Sequence, residues 1–222
     1  MKKILVIICL TLIFSFLFIS PFLIKVKVDC KSQYGICPLQ ILDKLNFFSG
    51  KSLFIAKSGM KKILKSDFLV SDYSIQFKIP NILHAEILVK KAIAAFRVNR
   101  SQSEILVDKG GIVLSTAQDS VLPVIDLEEN LPGVGQNIGG ANLFALNLAG
   151  GVYQMYQVRE SSIREGSLLV ELPGQIRVIF PLDGDKDALL GSLRLIYSKI
   201  QEDGNLAGYS QIDLRYKNPV LR

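Results

Sequence analysis

After Met1-Lys2-Lys3, the chain runs from Ile4 to Ile24 without one charged residue (ILVIICLTLIFSFLFISPFLI). About 21 apolar residues in a helix span roughly 31 Å, the hydrocarbon thickness of a bilayer. Lys25 and Lys27 end the run abruptly. A helix apolar on every face suits lipid better than a half-wet protein surface. We read residues 4–24 as a single N-terminal transmembrane helix behind a short cytoplasmic leader, residues 1–3. No second run of that length follows, so about 198 residues should share one side of the membrane. A cleaved signal peptide is the competing reading, but signal cores usually span about 7–15 residues and end at a small-residue site absent here. Lysines flank both ends, which leaves the positive-inside rule without a vote. The two-lysine leader favours a cytoplasmic N-terminus with the bulk of the chain extracytoplasmic.

The formal net charge of +6 falls to +4 once Lys2 and Lys3 are set aside. That mild, dispersed balance fits a solvated surface near anionic lipid and argues against nucleic acid, which calls for clustered basic residues. Cys30 and Cys37 lie close together outside the apolar run. In an oxidising compartment they would close a loop; otherwise they are two unrelated thiols. The only histidine, His84, is far from them in sequence, so a zinc site is disfavoured. His84 falls on the polar side of an alternating segment and reads as solvated. No Ser/His/Asp set has recognisable context, and Glu128-Glu129 reads as a charged loop. Gly133, Gly135 and Gly139 sit at the wrong spacing for a dinucleotide loop. No enzyme activity, cofactor, metal or small-molecule substrate is therefore expected. Asn99-Arg100-Ser101 fits a glycosylation sequon and lies where a junction between two modules is expected, at 99–103.

Residues 25–99 read as the first module. Leu23 to Asp29 suggests a strand. Pro38 opens a helix over Leu39–Phe48 with Leu39, Leu42, Leu45 and Phe48 on one face. A second helix over Ala56–Asp67 carries Met60, Ile63, Leu64 and Phe68. Tyr73, Ile75, Phe77 and Ile79 then alternate with polar residues, as do Leu83, Ala85, Ile87 and Val89 beyond Pro80-Asn81, predicting a hairpin. The order is β-α-α-β-β.

Residues 104–222 read as a second, mixed α+β module. Ile105–Asp108 and Ile112–Leu114 flank a Lys109-Gly110-Gly111 turn. Val121–Leu127 is a short strand. Asn142 to about Arg159 has helical periodicity, interrupted by Gly150-Gly151 at about 1 kcal/mol each. Leu168–Leu172 and Ile176–Phe180 flank Pro173-Gly174. A helix follows, with Asp183 or Asp185 as its cap. A closing strand, Tyr209–Tyr216, places Ile212, Leu214 and Tyr216 on one side and Gln211, Asp213 and Arg215 on the other.

The first module, set directly after an apolar anchor, resembles a POTRA domain, and Leu45–Phe54 resembles its helix, glycine, "nLF" element. Ser210-Gln211-Ile212-Asp213-Leu214-Arg215-Tyr216-Lys217-Asn218-Pro219-Val220 resembles the closing "IDLR(F/Y)…P-V" strand of the FtsQ/DivIB cell-division family. Val107-Asp108…Gly111-Ile112-Val113 and Leu122-Pro123-Val124-Ile125 are similar to the family's "vD..G.v" hairpin and "LP.i" strand. Lys90–Ala95 departs from its Glu-Arg-x-Pro-x-Ala motif. The resemblance implies an α+β chain with an N-terminal transmembrane helix, a POTRA-like domain and a β domain ending in a C-terminal edge strand. It implies a non-enzymatic division scaffold that binds FtsB/FtsL-like single-span partners, with residues 4–24 in the lipid bilayer and the chain at the division septum. Carried over by motif, Tyr216 is the residue most expected at the partner contact, with Leu214, Arg215, Lys217 and Pro219 beside it. Tyr216 could equally complete the core face with Ile212 and Leu214. The alternative function is a POTRA-containing secretion or assembly accessory that binds client peptides.

Overall fold

A computed structural model describes residues 24–99, 101–202 and 208–222. The chain is α+β, with four helices among the described residues. It divides into two compact units, Met1–Lys90 and Lys91–Arg222. The expectation that the fold includes a transmembrane helix is corrected here. No helix among the described residues is long and apolar enough to cross a membrane. The expected span, 4–24, lies outside the described residues except for Ile24.

The first unit holds β1 (Lys27–Ser32), β2 (Gly35–Ile36), α1 (Leu39–Asn46), α2 (Leu53–Ser66), β3 (Val70–Lys78) and β4 (Ile82–Val89). The sheet order is β2-β1-β4-β3. β1 and β4 are parallel, from Lys27↔Ile82 to Ser32↔Ile87. A parallel pair cannot be closed by a tight turn, and α1 and α2 lie in the crossover. The strand alternation puts Leu83, Ala85 and Ile87 into the core, where they meet Ile41, Leu45, Ala56, Met60 and Leu64. The disulfide Cys30–Cys37, with Cα atoms 5.7 Å apart, ties β1 to the entry of α1.

Three readings are refined in this unit. Ile41, not Leu39, points inward from α1; Leu39 is exposed. α2 starts at Leu53, three residues early, because Leu53 N–H donates to the Ile24 carbonyl at 2.9 Å and draws that turn onto the sheet. His84, expected to be solvated, is buried. It sits on the central strand with Asp29 and Gln76 as its cross-strand neighbours. Its Nδ1 lies 2.7 Å from Asp29 Oδ2 and its Nε2 3.2 Å from Glu86 Oε1. The pattern of period two assigned its face correctly but not the cover its neighbours supply.

The second unit carries a nine-stranded sheet. Its elements are β5 (Ala92–Val98), β6 (Ser103–Asp108), β7 (Val113–Gln118), β8 (Val124–Leu127), α3 (Gly140–Tyr156), β9 (Glu160–Arg164), β10 (Ser167–Leu172), β11 (Ile176–Pro181), α4 (Lys186–Glu202), β12 (Gln211–Asp213) and β13 (Val220–Leu221). The order is β13-β12-β11-β10-β9-β8-β5-β6-β7. β5 pairs with β6 and with β8, so the units divide at Lys90/Lys91, ahead of the 99–103 junction read from the sequence. Ala145, Leu148 and Val152 of α3 and Leu193, Tyr197 and Ile200 of α4 share a core with Phe96, Ile125, Leu168, Val178 and Phe180. Asp108 builds the β6–β7 turn: its Oδ1 accepts from Gly110 N–H at 2.9 Å and Ile112 N–H at 2.8 Å. The glycine-rich segment then folds back on that turn, with Ile138 N–H donating to the Gly111 carbonyl and Gly135 N–H to that of Val113.

Gly150-Gly151 does not break α3. A Cβ on Gly151 would stand 2.4 Å from Leu190 Cδ1 of α4, whereas one on Gly150 would meet nothing within 4 Å. Gly151 is therefore the point of close approach between the two helices. Gly150→Ala should raise stability by about 0.5–1 kcal/mol through helix propensity. Gly151→Ala should lower it by about 1 kcal/mol as overpacking outweighs that gain. Urea unfolding of the two variants checks both signs. Replacing Cys30 and Cys37 together with serine should cost up to about 2.5 kcal/mol from loop entropy, read in the same assay.

Candidate partner-binding site

The structure brings Leu214, Arg215, Tyr216, Lys217 and Pro219 to one groove of about 370 Å³. Pro181 at the end of β11 and Asp183–Asp185 form one wall, with Ala188, Leu189 and Ser192 of α4 beside them. Asp185 rather than Asp183 supplies the helix start: its Oδ1 accepts from the backbone N–H groups of Asp187 at 2.9 Å and Ala188 at 3.1 Å. That cap fixes where α4 leaves the sheet.

The expected edge strand Tyr209–Tyr216 is shorter and is not the edge. β12 covers only Gln211–Asp213. It pairs in parallel with β11, Val178 opposite Ile212. Its other side is taken by β13, with Ile212↔Leu221 and Asp213↔Val220. Arg222 extends that closure, exchanging backbone hydrogen bonds of 3.0 Å with Gln211 in both directions. The outermost strand is therefore β13, the chain's own return segment.

The early end of β12 has a local cause. Asp213 is buried, and its carboxylate curls back on Arg215. Arg215 Nε donates to Oδ1 at 2.9 Å and Nη2 to Oδ2 at 2.7 Å, while the Arg215 backbone N–H also donates to Oδ1 at 3.1 Å. One carboxylate thus holds both the guanidinium and the turn. Beyond it the two readings of Tyr216 separate: Ile212 and Leu214 are in the core, but Tyr216 is 56 % exposed. Leu214 belongs to the groove floor rather than to its open surface. Arg215 lies over the Tyr216 ring, 6.0 Å from its centroid.

A second charged array occupies β5, β6, β8 and the entry to β9. Arg97 reaches its cross-strand neighbours Glu104 at 3.3 Å and Asp126 at 3.6 Å. Arg159 stands 3.8 Å from Glu104 and bonds the Leu122 and Ser120 carbonyls. Burial pushes the Glu104 pKa up, but hydrogen bonds from Ser120 and Arg97 outweigh it and hold the carboxyl below its ordinary range. Glu128 is paired with Arg164. No group of three or more His, Cys, Asp or Glu among the described residues is placed to hold a metal ion. Sequence reading missed this array because its members come from three strands and from Arg159, just ahead of a fourth.

No protein-family model matches the sequence, and neither does any curated protein.

The Arg215 hydrogen bonds hold the Asp213 carboxyl below the usual carboxylate range. A carboxyl depressed on folding adds stability above its unfolded pKa, about 4, and that stability is lost as pH falls through the folded value. Asp213→Asn should lower stability near neutral pH by about 1–2 kcal/mol. It should also flatten the acid limb of a stability–pH curve; Glu104 supplies part of the slope that remains. Chemical unfolding from pH 7 to pH 2 measures both.

Proposed function

We propose that this protein is a membrane-associated, non-enzymatic cell-division scaffold of the FtsQ/DivIB type, acting on the extracytoplasmic side and at the septum. It binds FtsB/FtsL-like single-span division proteins and helps control septal peptidoglycan synthesis. The observation that carries the reading is the gathering of Leu214, Arg215, Tyr216, Lys217 and Pro219 around one groove, with an exposed tyrosine beside an arginine. Tyrosine and arginine are the side chains most often found to anchor interfaces. A partner strand adds along the outer side of β13, where Val220 and Leu221 present the sheet's last backbone groups, and its side chains reach the groove. The Cys30–Cys37 disulfide supports an oxidising compartment.

A second reading has its own observation. β3 is nine residues long and pairs only with β4, which leaves a long sheet edge open in the first unit. Such an edge suits extended client peptides, the task of a secretion or assembly accessory.

Tyr216→Ala in the full chain should weaken capture of FtsB/FtsL-like segments at least about tenfold, the loss of one interface anchor. Because Tyr216 is exposed, the variant should unfold at the wild-type denaturant concentration. Unchanged capture by a folded variant rejects the groove. Absence of capture by wild type, together with uniform membrane fluorescence of a fusion in dividing cells, rejects the division reading.

A further inference from the structure

The end of the first unit that holds Ile24–Lys27 exposes apolar side chains and carries one sign of charge. Three segments meet Ile24–Lys27 there through backbone hydrogen bonds. Leu53 N–H donates to Ile24, Val26 N–H to Lys51 and Gly50 N–H to Val26, which docks the α1–α2 turn and the start of α2. Lys27 N–H donates to Asn81, and Asn81 Nδ2 to Lys25, which docks the β3–β4 turn. The tips of these segments expose Phe47 at 71 % and Ile79 at 88 %, with Phe54 and Ile55 also exposed.

The same segments hold Lys25, Lys27, Lys51, Lys57 and Lys78, all exposed, and no aspartate or glutamate. Lys51 lies 5.5 Å from the centroid of the Phe47 ring. The other end also exposes apolar side chains, Tyr34, Ile36 and Leu88, but its charge is mixed: Lys31 stands opposite Glu86 across the strands, and Asp72 is exposed. Aromatic and aliphatic tips ringed by lysines are the composition that settles at a headgroup layer, with apolar atoms toward the acyl boundary and ammonium groups on anionic lipid. The occupant is indicated by the chain itself. Ile24, the last residue of the uncharged stretch Ile4–Ile24, lies at this end, so an apolar phase that took up that stretch would lie beside Phe47, Ile55 and Ile79.

We propose that this end of the first unit is a lipid-contacting surface that rests on the anionic headgroup layer of a bilayer. The inference rests on the membrane location proposed above and adds which face of the folded unit touches lipid. The contact sets the unit's tilt and height over the membrane, because four apolar tips on three segments define a plane where one chain entry defines only a point.

The sequence has no tryptophan, so each single substitution gives a lone indole, excited selectively over the seven tyrosines at the red edge of their absorption. Full-length Phe47→Trp, Ile79→Trp and Leu88→Trp proteins are reconstituted into phosphatidylglycerol/phosphatidylcholine vesicles with brominated acyl chains. Leu88 is exposed near the far end of β4, about 20 Å along the strand from Ile82. The indoles of Phe47→Trp and Ile79→Trp should shift to the blue and lose emission, while that of Leu88→Trp should do neither. Vesicles of phosphatidylcholine alone should reduce the effect. Proteins that float with vesicles yet show equal quenching at all three positions overturn the surface and leave membrane association standing. Failure to float overturns both. Quenching indifferent to phosphatidylglycerol overturns the role of the lysines.

Discussion

Parallel strand pairing is the constraint from which the rest of this structure follows. Two parallel neighbours cannot be joined by a short turn, so the chain must travel back along the sheet before it can re-enter. β1 and β4 impose that on the first unit, and α1 and α2 lie in the path between them. β8 and β9 impose it on the second, with α3 as the return, and β11 and β12 do so again with α4. Each returning helix brings an apolar stripe, and those stripes provide much of both cores. A further parallel pair, β5 and β8, is joined through β6 and β7 with no helix between them.

The groove depends on the last of these crossovers. α4 returns the chain to β11, and β12 adds beside it for three residues only. Asp213 then spends its carboxylate on Arg215 and on the backbone of the turn, which stops the ladder and leaves Tyr216 outside the core. Because the strand stops there, the chain has length left to come back as β13 and close the edge. A buried carboxylate is tolerated at this position because a guanidinium meets both oxygens. The exposed tyrosine and the covered edge thus share one electrostatic cause.

Much of this was legible one segment at a time. The alternation at Tyr73–Phe77 and Leu83–Ile87 located β3 and β4, and Pro173-Gly174 located the β10–β11 turn. Helical periodicity found the four helices among the described residues to within a few residues. The failures are of one kind. The sequence reading puts Ala92–Val98 in the first module, 25–99, and only its partners, β6 and β8, place it in the second unit. Gly150-Gly151 reads as a helix weakness, and only Leu190 shows that one of the two glycines makes room for a neighbour. His84 reads as polar and wet, and only Asp29 and Glu86 show that it is covered.

The sequence by itself determined the period of the elements it located, the turn residues between them, and the cluster from Arg215 to Pro219 that forms the groove's outer lip. Those are local properties, encoded in spacings of two or 3.6 residues and in the backbone preferences of glycine, proline and aspartate. The tertiary structure alone decided that β13 covers β12, that Tyr216 faces outward while Leu214 does not, and that Lys25, Phe47 and Ile79 share one end of the first unit. These depend on which distant segments meet, and no local spacing carries that information.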